Sequence, residues 1–170
     1  MRLFISINFD EKTKENILLV QKRLRILGKG RFASPNNLHL TLAFLGEVPE
    51  ERLQELEILM DEIVVPEMQL TFCEVGTFRN ESELWWIGIR QNEKLMQLQS
   101  ELVAKLKVAG FTPDSKRFRP HITIAREMHI GSIDRKYLLQ SSFSCNVSQI
   151  SLMLSSRSDG KLIYTELYRV

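Results

Sequence analysis

LFISINFDEKTKENILLVQKRLRILGKGRFASPNNLHLTLAF, residues 3–44, and WWIGIRQNEKLMQLQSELVAKLKVAGFTPDSKRFRPHITIAR, residues 85–126, align without a gap at an offset of 82, and nine of the 42 positions match. The pairs are Ile5/Ile87, Ile7/Ile89, Glu11/Glu93, Lys12/Lys94, Leu24/Leu106, Gly28/Gly110, His39/His121, Thr41/Thr123 and Ala43/Ala125. Unrelated segments would match at about two or three, since random identity runs at roughly 6%. Each copy opens on an apolar run that reads as a strand, Leu3 to Phe9 and Leu84 to Ile89. A helix follows in each. Asp10 and Asn92 are its expected N-caps, and Ile17, Val20, Leu24 and Leu27 in the first, Leu95, Leu98, Leu102, Leu106 and Ala109 in the second, form its apolar stripe. Gly28 and Gly110 stand where a helix C-terminus takes a left-handed residue. Eleven residues later each copy reaches a His-x-Thr strand.

Further elements are expected as a helix over Glu50 to Val65, a strand over Gln69 to Val75, and a hairpin of Ile150 to Ser155 with Leu162 to Val170 turning near Asp159-Gly160. The expected fold is therefore α+β, one bilobal domain over residues 1–170. Two pseudo-symmetric lobes, each an antiparallel sheet with helices on its outer face, would surround a central cleft.

Composition narrows the function. Apolar residues make up 44% and charged residues 26% of the 170, an ordinary folded composition. The net charge of +2 is too small for non-specific coating of nucleic acid, so an anionic partner must be caught by a local patch. The opening run shows no secretory signal and no stretch approaches a membrane span, which makes a cytoplasmic monomer without membrane or protein partner the expectation. Cys73 and Cys145 are single and distant, suggesting neither disulfide nor zinc site. Gly28-Lys29-Gly30 lacks a phosphate-loop pattern and follows a helix, so neither ATP nor a dinucleotide is implied. No cofactor or metal is expected.

The two histidine strands carry the chemistry: Leu38-His39-Leu40-Thr41-Leu42 and Pro120-His121-Ile122-Thr123-Ile124. Strand alternation puts each His and Thr on one face and the aliphatic residues on the other. A strand His is more often a plain surface residue, but a twofold relation would bring both imidazoles to one site. With ordinary pKa values near 6.5, one ring would be neutral and one protonated, supplying base and acid together. That pair suits in-line displacement at phosphorus, with the Thr hydroxyls donating to non-bridging oxygens.

Asn37-Leu38-His39-Leu40-Thr41-Leu42-Ala43-Phe44-Leu45-Gly46 and Phe118-Arg119-Pro120-His121-Ile122-Thr123-Ile124-Ala125-Arg126 resemble the paired H-x-[TS]-x motifs of the two-histidine (2H) phosphoesterase superfamily. Within it they resemble the RNA 2′,3′-cyclic phosphodiesterase branch, the bacterial and archaeal 2′-5′ RNA ligase family. The likeness runs from the opening R-L-F-I-x-I to Ser155-Ser156 and Tyr164-Thr165-x-Leu167. It implies hydrolysis of an RNA terminal 2′,3′-cyclic phosphate to a 2′-phosphate, with His39 the proton donor and His121 the proton acceptor. It also implies a related ATP-independent ligation in which an RNA 5′-hydroxyl replaces water.

Arg126 matches an arginine that follows the second motif in the family and would clamp phosphate. Strict alternation puts it on the face opposite His121, so a bulge must intervene if it touches substrate. Lys116, Arg117 and Arg119 form a basic stretch before His121 that would hold RNA phosphates, or simply be solvated. Phe78 is a candidate for stacking on a base, with core packing the plainer reading. Trp85 and Trp86 read as strand residues, and His129 as a surface residue past its strand. Two alternatives stand beside the enzyme: a phosphodiesterase for small cyclic nucleotides or 2′-5′ oligonucleotides, and a non-catalytic RNA-binding module.

Overall fold

Two antiparallel sheets share one apolar core in the computed structural model, which describes every residue except 79–82, 115–116 and 131–136. Among the described residues the order is β1 (Arg2–Asn8), α1 (Glu11–Leu27), β2 (Lys29–Phe32), β3 (His39–Glu47), α2 (Leu53–Asp61), β4 (Met68–Phe78), β5 (Leu84–Ile89), α3 (Glu93–Val108), β6 (His121–His129), β7 (Phe143–Val147), β8 (Ser151–Ser158) and β9 (Lys161–Arg169). One sheet runs β3-β1-β8-β9, the other β2-β6-β5-β4-β7. The α+β, two-sheet expectation holds.

Helices α1 and α3 begin where their caps predict. The Asp10 carboxylate accepts from the Thr13 amide at 2.8 Å, and Asn92 Oδ1 from the Leu95 amide at 3.0 Å, satisfying donors that the first turn leaves open. The helix ends differ. Gly110 is left-handed at φ 77°, as expected, but Gly28 is extended at φ −173°. Its small size serves another purpose: a Cβ there would lie 2.6 Å from the His129 carbonyl oxygen. The missing side chain lets the chain leave α1 directly into β2 and lie against β6.

Other differences are local. The helix expected over Glu50 to Val65 is a 3₁₀ turn, Glu50–Arg52, followed by α2, which stops at Asp61. Val64 and Val65 are β-branched, and Pro66 disfavours helix at the residue before it. The strand expected over Gln69 to Val75 runs on to Phe78 because Gly76, Thr77 and Phe78 pair with Trp86, Trp85 and Leu84. The β8–β9 hairpin turns at Asp159 (φ 50°) and Gly160 (φ 74°), the two left-handed residues a type I′ turn needs. Edge strand β2 is polar and exposed, whereas edge strand β7 alternates, with Phe143, Cys145 and Val147 half-buried against the core and Ser144 and Asn146 exposed.

The helices cross over between the sheets. Helix α1 packs on β2, β6 and β7 of the five-stranded sheet, burying Ile17, Val20 and Leu24, while α3 packs against β3 of the other. Fully burying such a side chain contributes about 1.5–3 kcal/mol. The sheets meet along β3 and β6, so the strands carrying His39 and His121 lie beside each other. No helix among the described residues is long and apolar enough to cross a membrane.

Candidate active site

On β3 Leu40 and Leu42 are buried, as is Leu38 just before it, while His39 and Thr41 are partly exposed on the other face; on β6, Ile122 and Ile124 are buried while His121 and Thr123 face outward. The alternation then breaks in both strands at the same offset. Against β1, Ser6 pairs with Thr41 and Ile5 with Ala43, skipping Leu42. Against β5, Trp86 pairs with Thr123 and Trp85 with Ala125, skipping Ile124. Each bulge buries two consecutive residues, Leu42-Ala43 and Ile124-Ala125, and returns the next residue to the His face. Phe44 and Arg126 are those residues. The bulge that the phosphate-clamp reading of Arg126 requires is present.

The bulge carbonyls are tied down by the crossed helices. Gln21 Nε2 of α1 donates to Ile124 O at 2.8 Å and to Ala33 O at 2.9 Å, and Gln99 Nε2 of α3 donates to Leu42 O at 3.2 Å. Gln21 is 2% exposed, so these bonds stand in place of water.

The two imidazoles are held alike. His39 Nδ1 lies 2.8 Å from Asn37 O and His121 Nδ1 2.6 Å from Arg119 O, each the carbonyl two residues upstream. A carbonyl only accepts, so both Nδ1 atoms carry hydrogen and each neutral ring has its free electron pair on Nε2. His39 Nε2 is 3.0 Å from Thr41 Oγ1. Aromatic rings wall both: Phe4 and Tyr164 at 4.9 and 5.1 Å from the His39 ring, Phe78 and Trp86 at 5.0 and 6.3 Å from that of His121.

That setting corrects the expectation of ordinary pKa values. Burial penalises the charged ring, pushing His39 down to about 4 despite its bond to Asn37, and the charges of His121 and Arg126 push the same way. His121 is lowered too, again mainly by burial and further by Arg126. At neutral pH both imidazoles are therefore neutral in the free protein.

His39, Thr41, His121, Thr123 and Arg126 open on one cleft of about 1300 Å³. Its other cations among the described residues, which the sequence did not single out, are Arg2, Arg31, Arg157 and Lys161. Their positions are scattered through the chain and only the sheets collect them, although Phe4 was detectable as the 82-residue equivalent of Trp86. Of the basic stretch, Arg117 and Arg119 are exposed and outside the cleft lining, and Lys116 lies outside the described residues. Phe78 packs edge-on against His121 and 5.2 Å from Trp86, outside the lining. Trp85 is buried in β5, and exposed His129 is the last residue of β6 rather than beyond it. Among the described residues no three His, Cys, Asp or Glu side chains gather into a metal-binding set.

A family profile described as the 2′-5′ RNA ligase superfamily matches residues 19–159. The RNA 2′,3′-cyclic phosphodiesterase of Archaeoglobus fulgidus is 32% identical, with 98% of each chain covered. That of Escherichia coli K12 is 32% identical over 99% of this chain and 94% of its own. The crystal structure of Escherichia coli LigT in apo form superposes with a TM-score of 0.84 at 31% identity, covering 99% of this chain and 95% of that one. LigT complexed with 3′-AMP superposes at 0.82 and 31% over the same shares.

Proposed function

Because the chain belongs to the 2′-5′ RNA ligase superfamily, we propose that it is a cyclic phosphodiesterase that opens the 2′,3′-cyclic phosphate at an RNA 3′ end to a 2′-phosphate, using two imidazoles as acid and base. The observation that carries this reading is the matched pair of rings on one cleft, each with Nδ1 tied to the carbonyl two residues upstream so that Nε2 carries the free electron pair, beside Arg126. Relatives at 32–34% identity over most of this chain bear the name of that activity, and a nucleotide with a terminal phosphate, 3′-AMP, is complexed with LigT. We read the 82-residue repeat as a duplicated strand–helix–strand unit that supplies one ring from each copy.

The chemistry follows from the protonation states. Negative charge beside a ring favours its charged form, so an entering phosphodiester anion offsets the desolvation that keeps the rings neutral and one proton is taken up with it. The family resemblance gives that proton to His39, which makes it the acid, and leaves His121 neutral as the base. His121 Nε2 takes a proton from water as the water oxygen bonds to phosphorus. The bond from phosphorus to O3′ breaks, and His39 Nε2 gives its proton to O3′. Arg126 and the Thr41 and Thr123 hydroxyls hold the non-bridging oxygens as charge gathers on them. Ligation uses the same atoms with an RNA 5′-hydroxyl in place of water.

The test is incubation with oligoribonucleotides ending in a 2′,3′-cyclic phosphate, followed by locating the phosphate on the product. A 2′-phosphate is expected. No turnover would leave a non-catalytic binder, and a 3′-phosphate would reverse the assignment of the leaving oxygen.

A further inference from the structure

Among the described residues the cleft lining holds five cationic side chains, Arg2, Arg31, Arg126, Arg157 and Lys161, against two carboxylates, Glu47 and Asp159. It is more positive than the whole chain, whose net charge is +2. Part of that charge is already answered: Arg31 pairs with Glu127, and Glu47 with the N-terminal ammonium. Arg126, Arg157 and Lys161 pair with no carboxylate among the described residues. A single cyclic phosphate carries one negative charge, and Arg126 beside the histidines is placed to meet it. Arg157 and Lys161 stand elsewhere, on the β8–β9 hairpin.

The register of that hairpin sets the distance. Ser155 pairs with Tyr164, and Tyr164 packs on the His39 ring. Two residues further toward the tip, Arg157 pairs with Leu162 on the same face, about 7 Å along the strand from Tyr164. Lys161 follows at the tip, across from Ser158 and on the opposite face by alternation, and lines the same cleft. Leu162 and Ile163 are 40% and 41% exposed, so Arg157 shares the Tyr164 face with open Leu162, while Lys161 shares the other face with open Ile163. A phosphate with an unpaired base is the chemistry such a pairing fits, since base stacking and apolar contact are sequence-tolerant while the cation takes the backbone. Asp159 opposes this at the tip, where its left-handed φ fits the turn.

We infer that the β8–β9 hairpin, through Arg157, Lys161 and Leu162, is a track for the nucleotides upstream of the reacting end, and makes this protein prefer single-stranded oligoribonucleotides over cyclic mononucleotides. The inference rests on the proposed cyclic phosphodiesterase reading for its direction along the strand. The Tyr164 end of the hairpin meets the terminal nucleotide, and the Arg157 end meets the phosphates before it.

The experiment has a binding arm and a kinetic arm. A fluorescent oligoribonucleotide ending in a 3′-phosphate is titrated into wild type, Arg157→Ala/Lys161→Ala and Leu162→Ser, with folding checked by thermal melts. The double variant is expected to bind five- to tenfold more weakly, and its slope of log affinity against log salt to become shallower by between one and two. In the kinetic arm, kcat/KM for an oligonucleotide with a cyclic end falls by a similar factor through KM, while that for a 2′,3′-cyclic mononucleotide stays at the wild-type value. Unchanged oligonucleotide affinity in the double variant overturns the track, as does an equal loss on both substrates. A wild type that binds the oligonucleotide through Arg157 and Lys161 but turns over neither substrate overturns the catalytic reading and leaves the track standing.

Discussion

Gln21, on the helix of the first repeat, reaches the carbonyl of Ile124 at the bulge in the histidine strand of the second, 2.8 Å away. That bond, with the one to Ala33 O, anchors the backbone step that turns Arg126 into the cleft.

Gln21→Leu keeps the volume close and removes both bonds from a buried site, at a cost of about 1–3 kcal/mol for the carbonyls left with fewer partners. Urea unfolding measures that loss. KM for a cyclic-phosphate substrate should rise while kcat falls less, because Arg126 loses its aim. Unchanged stability and KM together would mean that the bulge holds its shape without Gln21.

His39→Ala and His121→Ala should each lower kcat by about 10²- to 10⁴-fold, the range for losing a general acid or base. Both side chains lie on the cleft face, so far-UV circular dichroism should remain that of wild type. EDTA should leave the wild-type rate unchanged, since the two rings supply acid and base between them. Near-wild-type turnover by either variant would defeat the paired mechanism.

The depressed histidines set the pH profile. Since kcat/KM reports free enzyme, its alkaline limb should lie below pH 6.5, between the His39 value of about 4 and the ordinary imidazole value. The alkaline limb of kcat, which reports the complex, should lie higher because bound phosphate favours the charged ring. Coincident limbs above pH 7 would show that burial does not hold the free rings neutral.

Stability carries the same signature. His39 titrates near 6.5 when unfolded and near 4 when folded, so between those values the unfolded chain binds more protons. Stability should therefore fall as pH drops from 6.5 toward 4, by about 3 kcal/mol from this ring, and level off below. His39→Gln should flatten that part of the curve in urea titrations. Inorganic phosphate, which binds the charged rings, should stabilise the wild type more at pH 5.5 than at pH 8.

Arg126→Ala removes a charge that acts on both rings. KM should rise about tenfold or more, the scale of one charge-assisted hydrogen bond. Ring-proton NMR titrations should show both histidines moving upward. Arg126→Lys keeps the charge, so it should hold the titrations near wild type while restoring KM only in part.

What could be read along the chain was whatever depends on neighbours in sequence: the caps at Asp10 and Asn92, the apolar stripes, the Asp159-Gly160 turn, and the alternation that sets His39 with Thr41 and His121 with Thr123. These follow from the helix and strand periods, which a sequence carries openly. The place of Arg126 did not, because a bulge belongs to a pair of strands and its register appears only when β5 lies against β6. The depressed histidines needed the aromatic walls, and the cationic cleft needed Arg2, Arg31, Arg157 and Lys161 gathered from distant strands. Desolvation and charge act through space, so the two sheets had to fold before either could be seen.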